Sequence, residues 1–253
     1  MAELMRQLPP VLLLHGWGGS YRATWQRTGW QHALEAQGRR VIGFDLPGHG
    51  PADGSAVPED YADLSGLVAE RIPDEDALDV VGYSLGAKIA LQLVLRYRGR
   101  IRRLVLAGLG DNLFARENGG AVADALRDGV GPQTLPAVRN LAVHALQSEN
   151  DLAAMTACLL RPAVPVTPDE IRGLSLPVLL AVGDQDEFIG SVDILRTCLP
   201  HARFHRLPGI DHLATPLSSE LETAALGFLS TSEATTGHYE PVPSGTRQHH
   251  PTH

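Results

Sequence analysis

Residues 78–86, Leu-Asp-Val-Val-Gly-Tyr-Ser-Leu-Gly, restrict the fold of this chain more than any other stretch. Leu78, Val80 and Val81 predict a buried strand over residues 78–81, and residues 87–97 carry a helical pattern. Between them stands Gly82-Tyr83-Ser84-Leu85-Gly86. A Gly-x-Ser-x-Gly string at a strand-to-helix junction puts its serine in a sharp, unfavourable turn. Side chains two residues before and after that serine would collide, so both positions are glycine. The turn lifts the Ser84 hydroxyl clear of the sheet. It also sets Ser84 at a helix N-terminus, where the dipole favours developing negative charge. Ser84 is the candidate nucleophile.

The neighbouring segments fit a sheet around that turn. Residues 11–14 and 41–44 form short apolar runs, closed by His15-Gly16-Trp17-Gly18-Gly19 and by Asp45-Leu46-Pro47-Gly48-His49-Gly50. Such runs read as strands buried on both faces. Helices are predicted over residues 24–37 and 61–72, the latter from Leu64, Leu67, Val68 and Ile72. A fourth strand falls at 103–107. Residues 108–173 then lack a convincing strand. Gly119-Gly120, Gly129, Gly131-Pro132 and Pro136 interrupt helical pieces, of which 137–144 and 151–160 are the best. An insertion of this length reads as a lid or a helical subdomain. The alternation resumes with strands at 178–182 and 203–207 and helices at 191–198 and 218–229. Strand and helix in turn predict an α/β fold with a parallel sheet covered on both faces. From Thr231 the chain turns to Thr, Ser, Pro, Gly and His, which predicts a disordered tail over 231–253.

Composition narrows the partners. Of 253 residues, 43% are hydrophobic and 20% charged, ordinary for a globular chain with a core. The net charge of -8 repels phosphate backbones and anionic headgroups, so nucleic acid and membrane are excluded as expected partners. A small molecule is the expected partner. The first ten residues are too short and polar for a signal peptide, and no apolar run reaches the ~18 residues needed to span a bilayer. The default compartment is therefore the cytoplasm. Cys158 and Cys198 form no metal-ligand pattern and read as buried small side chains. His249, His250 and His253 read as part of the solvated tail, and no metal site is expected.

A serine hydroxyl needs a base, an orienting acid and donors for the oxyanion. One donor is the amide of Leu85, the residue after the nucleophile. The other is assigned to Trp17, in the glycine-rich loop after the first strand. Of eleven histidines, His212 alone lies in the loop between the last strand and the last helix, on the sheet edge that carries Ser84. His15 and His49 sit in glycine turns after other strands. His205 lies within the last strand and reads as a packed side chain. Asp184, Asp186 and Glu187 all follow the fifth strand and are candidates for the acid, with Asp111 a weaker alternative.

Taken together, His15-Gly16-Trp17-Gly18, the Asp45–Gly50 turn, Gly82–Gly86, Gly183-x-x-Asp186 and Asp211-His212 resemble the α/β-hydrolase superfamily, in family order. The resemblance implies an eight-stranded sheet or a truncated form, here about six parallel strands. The family's N-terminal hairpin is expected to be absent or reduced to a fragment in residues 1–8. It implies a core formed by 1–108 and 174–230, and a small helical cap over 109–173. It selects Asp186 as the acid, in the chain order Ser84, Asp186, His212. Trp17, Tyr83, Leu109, Leu113, Phe114, Leu141, Leu146 and Met155 are then expected to line the substrate pocket. A serine at the nucleophile position argues against the dehalogenase and epoxide hydrolase branches, which place a carboxylate there. The implied activity is hydrolysis of a small to medium carboxylic ester or thioester, without metal or organic cofactor. Small carboxylesterases, including those that remove methyl esters from longer acids, share the pattern. The alternatives on this fold are a cofactor-independent C–C hydrolase or perhydrolase-type enzyme, and a ligand-binding protein akin to the hormone receptors.

Overall fold

Val11, Leu12, Leu13 and Leu14 are all fully buried, which a strand achieves only with protein on both faces. They form β1 (Val11–Leu14), an interior strand second from one edge of a six-stranded sheet in a computed structural model that describes residues 8–50, 54–75, 77–97, 99–116 and 119–231. The other strands are β2 (Val41–Gly43), β3 (Leu78–Tyr83), β4 (Ile101–Ala107), β5 (Val178–Gly183) and β6 (Arg203–Leu207). Their order is β2-β1-β3-β4-β5-β6 and every pairing is parallel. This is the doubly covered parallel sheet that the strand–helix rhythm predicts.

Successive residues of each strand feed two cores. Leu12, Leu14, Val80, Leu104 and Leu106 pack on one face with α2 (Leu64–Ala69), α3 (Leu85–Arg96) and α8 (Asp193–Cys198). Val11, Leu13, Val81, Val105 and Ala181 pack on the other with α1 (Trp30–Ala36) and α9 (Ser219–Ser230). Burying one such leucine stabilises by roughly 1.5–3 kcal/mol. The centre of the sheet is therefore rigid, and its carboxyl edge can carry strained turns. Register aligns that edge: Leu14 pairs with Gly82, Gly82 with Leu106, and Gly183 with Leu207.

Several elements differ from the sequence reading for local reasons. The helix predicted over 24–37 divides into a turn at Arg22–Gln26 and α1, parted by Gly29 at φ +96°. The helix predicted over 61–72 shortens to α2, because the Asp63 carboxylate caps it by accepting from the Gly66 amide. His205 is not packed in the core. It lies half-buried on β6, an edge strand with Arg203, Phe204 and Arg206 exposed, and it pairs with Glu220 of α9 at 3.0 Å. Cys158 and Cys198 are both buried and unbridged.

Between β4 and β5 the chain forms α4 (Gly120–Asp128), α5 (Pro136–Leu146), α6 (Leu152–Leu159) and α7 (Pro168–Arg172). The first of these escaped the sequence reading. Gly119-Gly120 was expected to interrupt helix but instead starts one, with Gly119 at the cap position. A Thr167–Glu170 capping box begins α7. The expected N-terminal hairpin fragment and the expected tail lie outside the described residues, apart from Leu8 and Thr231. Among the described residues no helix is long and apolar enough to cross a membrane.

Candidate active site

Ser84 has φ +52° and ψ −114°, and it is the one non-glycine with positive φ among the described residues. Such a conformation costs about 1–3 kcal/mol and persists only where its surroundings over-determine it. Here β3 and β4 hold the turn, with the Ser84 amide donating to the Ala107 carbonyl at 2.9 Å. The flanking glycines are steric requirements. A Cβ on Gly82 would stand 2.5 Å from the Gly86 carbonyl oxygen, and one on Gly86 2.6 Å from that of His15. The expectation drawn from the motif thus has a direct structural cause.

Three side chains from three loops meet at this turn. The Ser84 hydroxyl lies 2.9 Å from His212 Nε2, and His212 Nδ1 lies 2.7 Å from Asp186 Oδ2. With Nδ1–H donating to the carboxylate, Nε2 is left to accept from the serine hydroxyl. The Asp186 side chain is fully buried, and its second oxygen accepts from the Phe188 amide at 3.0 Å. Two rings hold the imidazole, Phe188 at 4.8 Å and Tyr83 at 5.3 Å between centroids. The Tyr83 hydroxyl donates to the His212 carbonyl at 2.8 Å. The loops bearing Asp186 and His212 are laced together, as the Asp184 and Gln185 amides each donate at 3.1 Å to Leu207 and Ile210 carbonyls.

The competing acids are occupied elsewhere. Asp184 accepts from the Gly209 amide at 2.7 Å, which with Arg206 holds its carboxyl below the usual range. Asp111 accepts from the Ile194 and Leu195 amides at 3.2 and 2.9 Å, at the start of α8. Glu187 is exposed.

The glycine-rich loop after β1 is braced by two neutral histidines. His15 Nε2 accepts from the Leu46 amide at 2.9 Å and its Nδ1 donates to the Gly16 carbonyl at 2.8 Å. His49 Nε2 accepts from the Gly18 amide at 3.1 Å. Burial pushes His15 down to about 4, and burial, then the nearby His15, push His49 down to about 3. Since the Gly18 amide serves His49 and the Gly19 amide serves the Gly16 carbonyl, the Trp17 amide remains without an acceptor among the described residues. The Leu85 amide, first in α3, likewise has no intrahelical acceptor.

The expected pocket residues divide. The Trp17 indole donates to the Met155 carbonyl at 2.9 Å, joining this loop to the helical insertion. Tyr83 supports His212 from beneath and is buried. Leu109 and Leu113 are buried and belong to the core cluster. Leu113 borders a separate cavity of about 560 Å³ against α2 and α3, which contains no member of the Ser84 group. Phe114 packs on the same core, Met155 is fully buried, Leu141 is half-buried and Leu146 is exposed. Sequence reasoning overlooked His144 of α5, whose Cδ2 lies 3.1 Å from where a Gly18 Cβ would stand. Burial, and secondarily His212, lower its pKa. It also overlooked Phe188 and Asn150. No local pattern marks these residues, since each acts on a loop distant in sequence. Among the described residues no cluster of three or more His, Cys, Asp or Glu is arranged to hold a metal.

The family described as alpha/beta hydrolase fold matches residues 9–127. The acetyltransferase component of the acetoin cleaving system of Pseudomonas putida is 31% identical over 56% of this chain, and the match spans 39% of that protein's length. The chain thus spans well under half of that relative. The pimeloyl-[acyl-carrier protein] methyl ester esterase of Aeromonas hydrophila is 31% identical over 79% of this chain and 87% of its own. Among solved structures, an esterase from Exiguobacterium antarcticum superposes with a TM-score of 0.69 at 16% identity, covering 88% of this chain and 92% of its own.

Proposed function

The chain belongs to the α/β-hydrolase superfamily, and on that premise we propose that it hydrolyses a small to medium carboxylic ester or thioester through an acyl-enzyme on Ser84. The observation that carries this reading is the line from Ser84 Oγ through His212 to buried Asp186, at 2.9 and 2.7 Å, on a strained turn. Strain of that kind has no packing benefit and is explained by presenting a nucleophile. The likeness to pimeloyl-[acyl-carrier protein] methyl ester esterases supports an ester as the substrate.

In this mechanism His212 Nε2 takes the Ser84 proton as Oγ attacks the acyl carbon. The Trp17 and Leu85 amides receive the oxyanion, and Asp186 stays ionised and stabilises the imidazolium. His212 gives its proton to the departing alcohol or thiol. Water, deprotonated by the same histidine, then releases the acid and restores Ser84. The Trp17 ring, fixed by its bond to Met155, limits the acyl side to modest groups.

The test is a chain-length series of p-nitrophenyl esters, from acetate upward, assayed with wild type and Ser84→Ala. Turnover peaking at short or medium chains and lost in the variant is the expected result. Turnover that survives in Ser84→Ala removes the nucleophile assignment.

A further inference from the structure

The loop that carries the Trp17 amide contains three glycines, Gly16, Gly18 and Gly19. Glycine loses more conformational freedom on ordering than any other residue, so such a loop does not hold an amide in place unaided. One restraint comes from the core, where His49 accepts from the Gly18 amide. A second comes from the helical insertion. Asn150, in the turn between α5 and α6, donates from Nδ2 to the Gly18 and Gly19 carbonyls, each at 3.0 Å. Its Oδ1 accepts from the Gly50 amide at 2.7 Å. One carboxamide thereby joins the loop after β1, the loop after β2 and the insertion. Its two N–H groups take one carbonyl each, a pattern no other small side chain reproduces.

We propose that Asn150 is a positioning residue that clamps the oxyanion loop, so that the insertion completes the acyl-transfer site besides covering it. This rests on the reading of Ser84 as nucleophile and of the Trp17 amide as an oxyanion donor. A donor stabilises the developing oxyanion only if it is already aimed at the position that oxygen will occupy. The ground-state ester makes less of this contact, so loosening the clamp lowers kcat and leaves KM nearly unchanged. A displacement of about 1 Å in such a group can cost about 100-fold.

The experiment uses the full chain and p-nitrophenyl butyrate, with Asn150→Ala, Asn150→Asp and Asp151→Ala. Asp151 occupies the same turn and caps α6 by accepting from the Ala153 and Ala154 amides at 2.8 and 3.0 Å, without touching the loop after β1. Asn150→Ala is expected to lower kcat about 10- to 100-fold, with KM within about threefold. Asp151→Ala is expected to lower Tm while keeping kcat within about twofold. Asn150→Asp keeps the size and the acceptor for Gly50 but turns an anion onto two carbonyls, so its kcat falls at least as far as that of the alanine variant. Were Asn150→Ala to fail to fold, this same-sized variant supplies the comparison. Affinity for a trifluoromethyl ketone, whose adduct places an oxyanion in the same site, is expected to fall in parallel with kcat/KM. Asn150 variants that match Asp151→Ala in kcat and in ketone affinity overturn the clamp, while an active wild type leaves the esterase reading standing. A wild type that neither hydrolyses the ester nor is labelled at Ser84 by a fluorophosphonate removes both.

Discussion

Replacing Asp186 with Asn tests the least obvious member of the Ser84 group. The substitution keeps shape and volume but removes the charge 2.7 Å from His212 Nδ1. In the wild type that oxygen accepts the Nδ1 proton, which leaves Nε2 free to receive the serine proton. A carboxamide that turns its N–H₂ toward Nδ1 moves the imidazole proton to Nε2, and the base then faces Ser84 with its donor. The second loss is electrostatic. As the imidazolium forms, the carboxylate about 4 Å from the ring charge contributes ~4 kcal/mol at an effective dielectric of ~20. At 1.36 kcal/mol per decade that is a factor of about 10³ in rate, and the unfavourable tautomer raises it to about 10³–10⁴. The Phe188 amide bond to Oδ1 survives in Asn, so the fold is expected to persist. The assay is kcat/KM on p-nitrophenyl butyrate for Asp186→Asn beside Asp184→Asn and Asp111→Asn, with thermal melts of each. Both controls are expected within about threefold of wild type, because their carboxylates serve Gly209 and the start of α8. A loss below tenfold in Asp186→Asn, or an equal loss in Asp184→Asn, would refute this reasoning.

Two further predictions concern stability. Arg39 and Asp79 form an ion pair at 2.6 Å with both side chains essentially buried, and Arg39 also donates to the Pro9 and Leu229 carbonyls. Arg39→Ala leaves the Asp79 charge in the core with only Arg102 at 3.6 Å, so urea unfolding should show a loss of about 3–5 kcal/mol. A loss under about 1 kcal/mol would show that the pair is not held as described. The second concerns pH. Folded His15 and His49 titrate at about 4 and about 3, below the 6.5 of the unfolded chain, so the unfolded state binds more protons between those values. Their contribution to stability is complete above pH ~6.5 and is lost as pH falls through the folded values. The Tm of wild type is expected to decline from pH 7 to pH 4, and His49→Gln should flatten that decline. A Tm that is level over this range in wild type contradicts the buried, neutral assignment.

Much of the architecture is determined locally and was legible for that reason. Gly82 is set by the Gly86 and Ala87 backbone within the turn and Gly86 by the backbone of Leu14 and His15 beside it, and the motif that results makes Ser84 visible in nine residues. β1 and β5 are continuous apolar runs because both faces of the sheet are covered there, and His212 follows from its place after the last strand. Where two candidates share residue type and location, sequence loses its grip. Asp184 and Asp186 stand two positions apart on one loop. What separates them is that the Gly209 amide takes Asp184, while the turn closed by the Gly183 carbonyl carries Asp186 back to His212. The expected pocket residues take places that their type alone does not reveal. Leu109 and Leu113 are apolar, as a lining residue would be, and both are buried in the core cluster. His144, Phe188 and Asn150 had no signal at all, since each owes its role to a partner far along the chain. The parallel sheet, the strained Ser84 turn and the place of His212 after the last strand could be read from the chain alone, because they depend on short-range sterics and on burial. Which carboxylate bonds to His212 and which side chains brace the glycine-rich loop after β1 emerged with the fold, because hydrogen bonds between distant loops depend on how the loops are packed.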